Sequence, residues 1–218
     1  MNYTIEPWIT KELNPEFLEV LNEIISLELN LAATEEEELK LWDPFERYYI
    51  LWSALKQIAH VQGDYVQCGV YRGEEAFYMA KQCKTTLHLF DSFEKVVAED
   101  LIECDNEYYL ENPYKCDVTE PETVLKQFDN VKINVGKVPA NFDTVQNIAF
   151  LYIDLNLYTS TKIALNELWP KIVSGGMAFI DLHDSYSSGA EVAVKEFFES
   201  LGIDVQMLPT GIVVVYKP

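Results

Sequence analysis

Basic residues are scarce in this chain of 218 residues: 16 lysines and arginines stand against 36 aspartates and glutamates, for a formal net charge of -20. Such a surface repels phosphate backbones and anionic headgroups, so neither nucleic acid nor a membrane is an expected partner. Cysteine is limited to Cys68, Cys83, Cys104 and Cys116, with no C-x-x-C pair and no histidine at zinc spacing. That pattern argues against a disulfide framework and a structural zinc site, and for free thiols in a reducing compartment. No stretch approaches the roughly 20 apolar residues of a membrane span. The opening MNYTIEPWIT has neither a basic nor an apolar leader segment, so a cytoplasmic protein is the expectation. Internal repeats are absent as well.

What the chain does have is apolar content: 49% hydrophobic and 13% aromatic residues, enough for one substantial core. Apolar residues at Phe17, Leu18, Leu21, Ile24, Ile25 and Leu29 fall on one side of a helix within Asn14 to Ala33. The acidic run Glu35 to Glu38 interrupts the pattern and reads as a solvated face or loop. A second helix is expected from Asp43, with Pro44 at its first position and Glu46 three residues after the cap, to about His60. From Gly63 the pattern alternates. Strands are expected at Tyr65 to Val70, Leu87 to Phe90, Val131 to Val135, Ile148 to Ile153 and Met177 to Ile180. Helices are expected at Glu74 to Cys83, from Thr119, at Thr159 to Leu168 and at Ala190 to Leu201. Such alternation predicts an α/β fold with a mostly parallel, Rossmann-like sheet. Residues Glu94 to Cys116 are polar, aromatic and aperiodic, as in a loop. The terminal DVQMLPTGIVVVYKP reads as an antiparallel hairpin around a Pro-Thr-Gly turn. The division expected is an N-terminal helical extension over residues 1–62, serving as lid or self-association surface of a homo-oligomer, and a cofactor-binding domain over 63–218.

The most informative stretch is VQCGVYRG followed by LHLFDSF. An apolar strand enters a turn with Gly69 and Gly73, a helix follows, and Asp91 closes the next strand. Glycines let the backbone approach a ligand at the end of a first strand, and an acid ending the second strand can accept hydrogen bonds from ribose hydroxyls. The spacing G-x-x-x-G lacks the full G-x-G-x-x-G pattern, so the site suits an adenosine better than a pyrophosphate. A nucleotide-sugar oxidoreductase or epimerase would need that loop and a Tyr-x-x-x-Lys pair, neither of which is convincing here.

With VQCGVYRG, LFDSFE, FLYIDLNLYTSTKIALNELWPKIVSGGMAFID, SGAEVAVKEFF and MLPTG in that order, the chain resembles the macrocin O-methyltransferase (TylF/MycF) family of class I methyltransferases, over roughly Gly63 to Gly211. Family members typically read E-C-G-V-x-R-G, D-[TS]-F-E-G, I-D-x-D-L-Y-x-S-T, P-G-G-x-x-x-x-D-D-Y and G-x-x-x-A-V-x-x-F. The resemblance implies S-adenosylmethionine as cofactor, a hydroxyl of a small metabolite such as a sugar or glycosylated natural product as acceptor, and Mg2+. It implies cofactor contacts at Gln67, where the family has Glu, at Gly69 and Gly73, at Asp91 and Ser92 beside the ribose, and at Gly136 near the adenine. For the chemistry it implies Asp154 and Asp181, at the ends of the fourth and fifth strands, as metal ligands, with Asp154 also catalytic. Asn156 and Leu182 replace family aspartates, so His183 is a candidate base and Asp184 a candidate third ligand. Those two replacements also leave room for a non-catalytic binding protein on the same fold.

Overall fold

Every position of the strand Ile148–Ile153 is apolar or aromatic, and every one is buried, as a strand covered on both faces requires. Around it the chain builds a six-stranded sheet. The computed structural model describes residues 15–31, 45–112, 114–183 and 186–218. Within them, in chain order, lie α1 (Pro15–Leu31), α2 (Phe45–Ile58), β1 (Asp64–Cys68), α3 (Glu74–Gln82), β2 (Leu87–Asp91), α4 (Thr119–Leu125), β3 (Val131–Val135), β4 (Ile148–Ile153), α5 (Tyr158–Leu168), β5 (Ile172–Asp181), α6 (Ser188–Ser200) and β6 (Ile212–Tyr216). The strand order is β3-β2-β1-β4-β5-β6, with all neighbours parallel except the pair β5–β6. The fold is the Rossmann-like α/β sheet expected from the alternation. Since β2 and β3 lie on one side of β1 and β4 on the other, the order reverses at β1, and ligands of open α/β sheets bind beyond the strand ends at such a switch point.

The sheet separates two apolar layers. Phe150 and Tyr152 of β4 and Phe179 of β5 face one layer with α3. Leu151, Ile153 and Ile180, one residue out of step, face the other with α5 and α6. The N-terminal helices belong to the first layer: Phe17, Leu21, Leu51, Trp52, Leu55 and Ile58 join the same buried cluster as Phe77 and Tyr78 of α3. Burying each large apolar side chain contributes about 1.5–3 kcal/mol, so these six together exceed half of a typical domain stability of about 5–15 kcal/mol. Removal of the residues before Gly63 is therefore expected to yield insoluble protein, checked by the soluble fraction after expression; a soluble, active truncate would show the segment dispensable.

The C-terminal hairpin is only partly formed. β6 is antiparallel to β5 as expected, but the predicted strand before it reduces to one isolated bridge, Met207 to Val213. Asp204, Gln206 and Pro209 explain this, because acid and amide side chains are poor strand formers and proline cannot donate to a ladder. The described residues between Glu94 and Cys116 form a loop with two short 3-10 turns, Ala98–Asp100 and Glu107–Glu111. Asp43, Pro44, the run Glu35 to Glu38 and Asp184 lie outside the described residues. Among those described, no helix is long and apolar enough to cross a membrane, and all four cysteines are unpaired.

Candidate active site

Beyond the carboxyl ends of β1, β2 and β4 opens a cleft of about 870 Å3. Its floor is set by backbone closure: Gly69 N–H donates to Phe90 O (2.9 Å), Asp154 N–H to Cys68 O (2.8 Å) and Gly136 N–H to Asp91 O (2.9 Å). Gly69, with φ +85°, has a specific reason to be glycine, because a Cβ there would stand 2.0 Å from the Asp154 carbonyl oxygen. The missing side chain thus lets two strand ends close on each other.

Four of the expected cofactor residues, Gly69, Asp91, Ser92 and Gly136, line this cleft. Asp91 is already engaged: one oxygen accepts from Val70 N–H (2.8 Å) and Tyr71 N–H (3.1 Å), the other from Phe93 N–H (2.9 Å). A carboxylate offers about four lone-pair positions, so one remains for a ligand rather than the two that a pair of ribose hydroxyls would use. Gln67 and Gly73 do not line the cleft. Gln67 is wholly buried behind it, where its amide nitrogen donates to Gly69 O (2.8 Å) and braces the turn. Gly73 caps α3 and packs against Pro121 of α4. Over the cleft, the loop after β2 brings Tyr108, Tyr109 and Tyr114 to the wall beside Tyr71, with Tyr71 and Tyr114 edge-to-face at 5.8 Å.

The reactive end lies where β4 and β5 stop. Asp181 is 3% exposed and receives donors on both oxygens. Oδ2 accepts from Arg47 Nε (3.1 Å), from Arg47 Nη2 and from the Tyr152 hydroxyl (2.9 Å). Oδ1 accepts from the His183 backbone N–H (3.1 Å) and lies 2.9 Å from His183 Nδ1. Burial works against the Asp181 charge, but the His183 hydrogen bond and the Arg47 guanidinium overcome it and hold the carboxyl down at about 2. Arg47 Nη1 lies 3.1 Å from His183 Nε2. A guanidinium can only donate, so Nε2 is the acceptor there and the proton of the neutral ring sits on Nδ1, facing Asp181. Partial burial lowers the proton affinity of His183, and Asp181 more than restores it, leaving its pKa above the ordinary histidine value.

Asp154 and Glu75 line the cleft beside this group. Burial, with the charge of Asp181 added, pushes both carboxyls upward against the pull of Arg47, Asp154 most strongly. The Arg47 guanidinium itself is opposed by burial, yet Tyr152, Asp181, Glu75 and Asp154 raise its pKa.

These residues do not fit a divalent cation. Asp181 accepts five hydrogen bonds and has no lone pair left for a metal, and Asn156 Oδ1 accepts from the Tyr109 hydroxyl (3.2 Å). Among the described residues no group of three His, Cys, Asp or Glu is arranged to hold a metal ion. The expectation of Asp154, Asp181 and Asp184 as Mg2+ ligands is thus not met by the two that are described. Against Asp181 stands Arg47, which sequence reading missed. The signal available was rarity: the chain has two arginines, Arg47 and Arg72. One of them falls in the first turn of α2, where a cation opposes the helix dipole unless an anion compensates.

Comparison with solved structures places the fold among methyltransferases. The O-methyltransferase NovP superposes with a TM-score of 0.66 at 22% identity, covering 78% of this chain and 79% of its own. The calicheamicin methyltransferase CalS11 gives 0.62 at 17% identity, covering 94% of each chain. An O-methyltransferase from Bacillus cereus in complex with SAH gives 0.57 at 11%, covering 98% and 97%. No curated protein sequence is similar enough to count as a relative. The macrocin O-methyltransferase (TylF) family model matches residues 46–217, a stretch that runs from just before Arg47 to the end of β6. The chain belongs to the macrocin O-methyltransferase (TylF) family and is an S-adenosylmethionine-dependent O-methyltransferase.

Proposed function

We propose that the protein methylates a hydroxyl group of a small metabolite, a sugar or a glycosylated natural product, with His183 as general base oriented by Asp181. The observation that carries this reading is the placement of His183: its Nδ1 lies 2.9 Å from the Asp181 carboxylate, which stays ionised, and the residue lines the same cleft as Gly69 and Asp91. S-adenosylmethionine supplies an electrophilic methyl group on a sulfonium. The chain's tasks are then to position the acceptor oxygen and to take its proton, which an alcohol does not release at neutral pH. Asp91, with its remaining lone-pair position, holds a ribose hydroxyl, and Ser92 and Gly136 flank it. Tyr71, Tyr108, Tyr109 and Tyr114 present aromatic faces suited to the apolar side of a sugar ring. Support for a sugar comes from CalS11, described as a TDP-rhamnose 3'-O-methyltransferase. Helix α2 forms the acceptor side of the cleft through Arg47 and Tyr48.

The test is calorimetric titration with S-adenosylhomocysteine, followed by turnover with nucleotide-linked and free sugars. Asp91→Ala is expected to weaken cofactor binding by about 1.5–3 kcal/mol, the range for a hydrogen bond to a charged group. Absence of cofactor binding by the native chain would overturn the reading.

A further inference from the structure

We propose that Arg47 is a catalytic residue that donates a hydrogen bond to the acceptor oxygen and does there what a divalent cation was expected to do, so that methyl transfer by this protein is metal-independent. The proposal rests on the methyl-transfer reading given above. Two tasks fall to whatever cation stands at this place: it must fix the oxygen, and it must stabilise the negative charge that develops as the proton leaves. Arg47 is built to do both. Its side chain is 5% exposed, and two of its nitrogens are locked onto Asp181 Oδ2, so the guanidinium plane is fixed by a partner at the end of β5. A third nitrogen, Nη1, points at His183 Nε2 across 3.1 Å.

That last contact joins an obligate donor to an acceptor. A hydroxyl is the group that completes such a pair, since its oxygen accepts from Arg47 while its own proton is given to His183. One lone pair of the oxygen is then left to attack. To admit the oxygen the pair must open, and His183 is the half that can move: it stands on the loop after β5 with 29% of its side chain exposed, whereas Arg47 and Asp181 are buried. In the balanced step the new O–C bond forms as the C–S bond of the sulfonium breaks, its electron pair passes to sulfur, and the hydroxyl proton ends on Nε2. No further reactant is required. The positive charge of Arg47 stays within one hydrogen bond of the oxygen throughout, and Asp181 balances the imidazolium on its other side.

The experiment uses the full chain. Titration with Mn2+, followed by electron paramagnetic resonance, is expected to show no binding below millimolar concentration, and turnover is expected to be unchanged by a chelator. Arg47→Lys, which retains charge but not the planar fork, is expected to lower kcat by about 100-fold or more, the scale of losing one donor to a developing oxyanion. S-adenosylhomocysteine affinity should stay within about threefold, since the donor acts on the acceptor. Micromolar Mn2+ binding by the native protein, or turnover lost to a chelator and restored by Mg2+, overturns the proposal, as does an Arg47→Lys kcat within about threefold of native. Failure of the native chain to bind S-adenosylhomocysteine is a separate result, which overturns the methyl-transfer reading itself.

Discussion

Replacing His183 with alanine is expected to lower kcat by about 100- to 10,000-fold, the usual contribution of a positioned general base, while leaving cofactor affinity close to native. The residue touches neither the glycine turn nor Asp91. It is bonded to Asp181 and Arg47, at the acceptor end of the cleft. The pH profile gives the second readout. Only the neutral ring can take a proton, and its pKa is raised above 6.5, chiefly by Asp181 against the opposing effect of burial. Turnover should therefore rise with pH through a value above 6.5 and level off beyond it. Asp181, at about 2, stays ionised across that window and adds no limb of its own. In His183→Ala the rising limb should vanish along with the rate. A variant that retains native turnover, or keeps the same limb at reduced rate, would move the base elsewhere; the assay is initial rate from pH 5.5 to 9 in the presence of saturating cofactor.

Gly69→Ala is the substitution expected to cost most in stability. The backbone there is left-handed, at φ +85°, which costs a non-glycine residue roughly 1–3 kcal/mol. The added Cβ would also meet the Asp154 carbonyl oxygen at 2.0 Å, and backbone cannot yield as a flexible side chain does. Forced overpacking adds about 1–3 kcal/mol more. A total of about 2–6 kcal/mol corresponds, for a chain of this size, to a fall in Tm on the order of 10 °C. Relief can come only by separating the ends of β1 and β4, which displaces Asp154 as well. Thermal unfolding and cofactor titration of the same sample should therefore change together, and a variant with native Tm would show that the strand ends tolerate the extra atom.

The elements were legible in the sequence because their signals are local. β4 needs only its six consecutive apolar residues, and α3 needs only its position after the glycine turn. Asp91 and Gly69 were legible for the same reason, each being fixed by the strand it ends. Gln67 and Gly73 illustrate where local reading stops: both belong to the recognised turn, but whether a residue in a turn faces ligand or core depends on Pro121 and the backbone of Gly69, which no spacing within the turn encodes. Arg47 marks the larger gap. Its partner Asp181 lies 134 residues away, and α2 could be recognised as a helix without revealing which strand end it would cover. The two replacements in the family motif, Asn156 and Leu182, were visible at once, whereas the contact of Arg47 with Asp181 was not. Likewise the hairpin before β6 was read from its turn, though the turn alone does not supply strand-forming neighbours on both sides.

The last loop of the chain bears directly on His183. Gly211, at φ +83°, packs so closely that a Cβ there would lie 2.4 Å from the His183 Cα, and its carbonyl accepts from Leu182 N–H (3.0 Å). The base is thus seated on Gly211, which follows α6, while its cationic neighbour comes from α2, ahead of the first strand. During synthesis the two halves meet late. A ribosome that has delivered the chain through His183 has delivered every residue that lines the cleft, but not yet the glycine on which His183 rests.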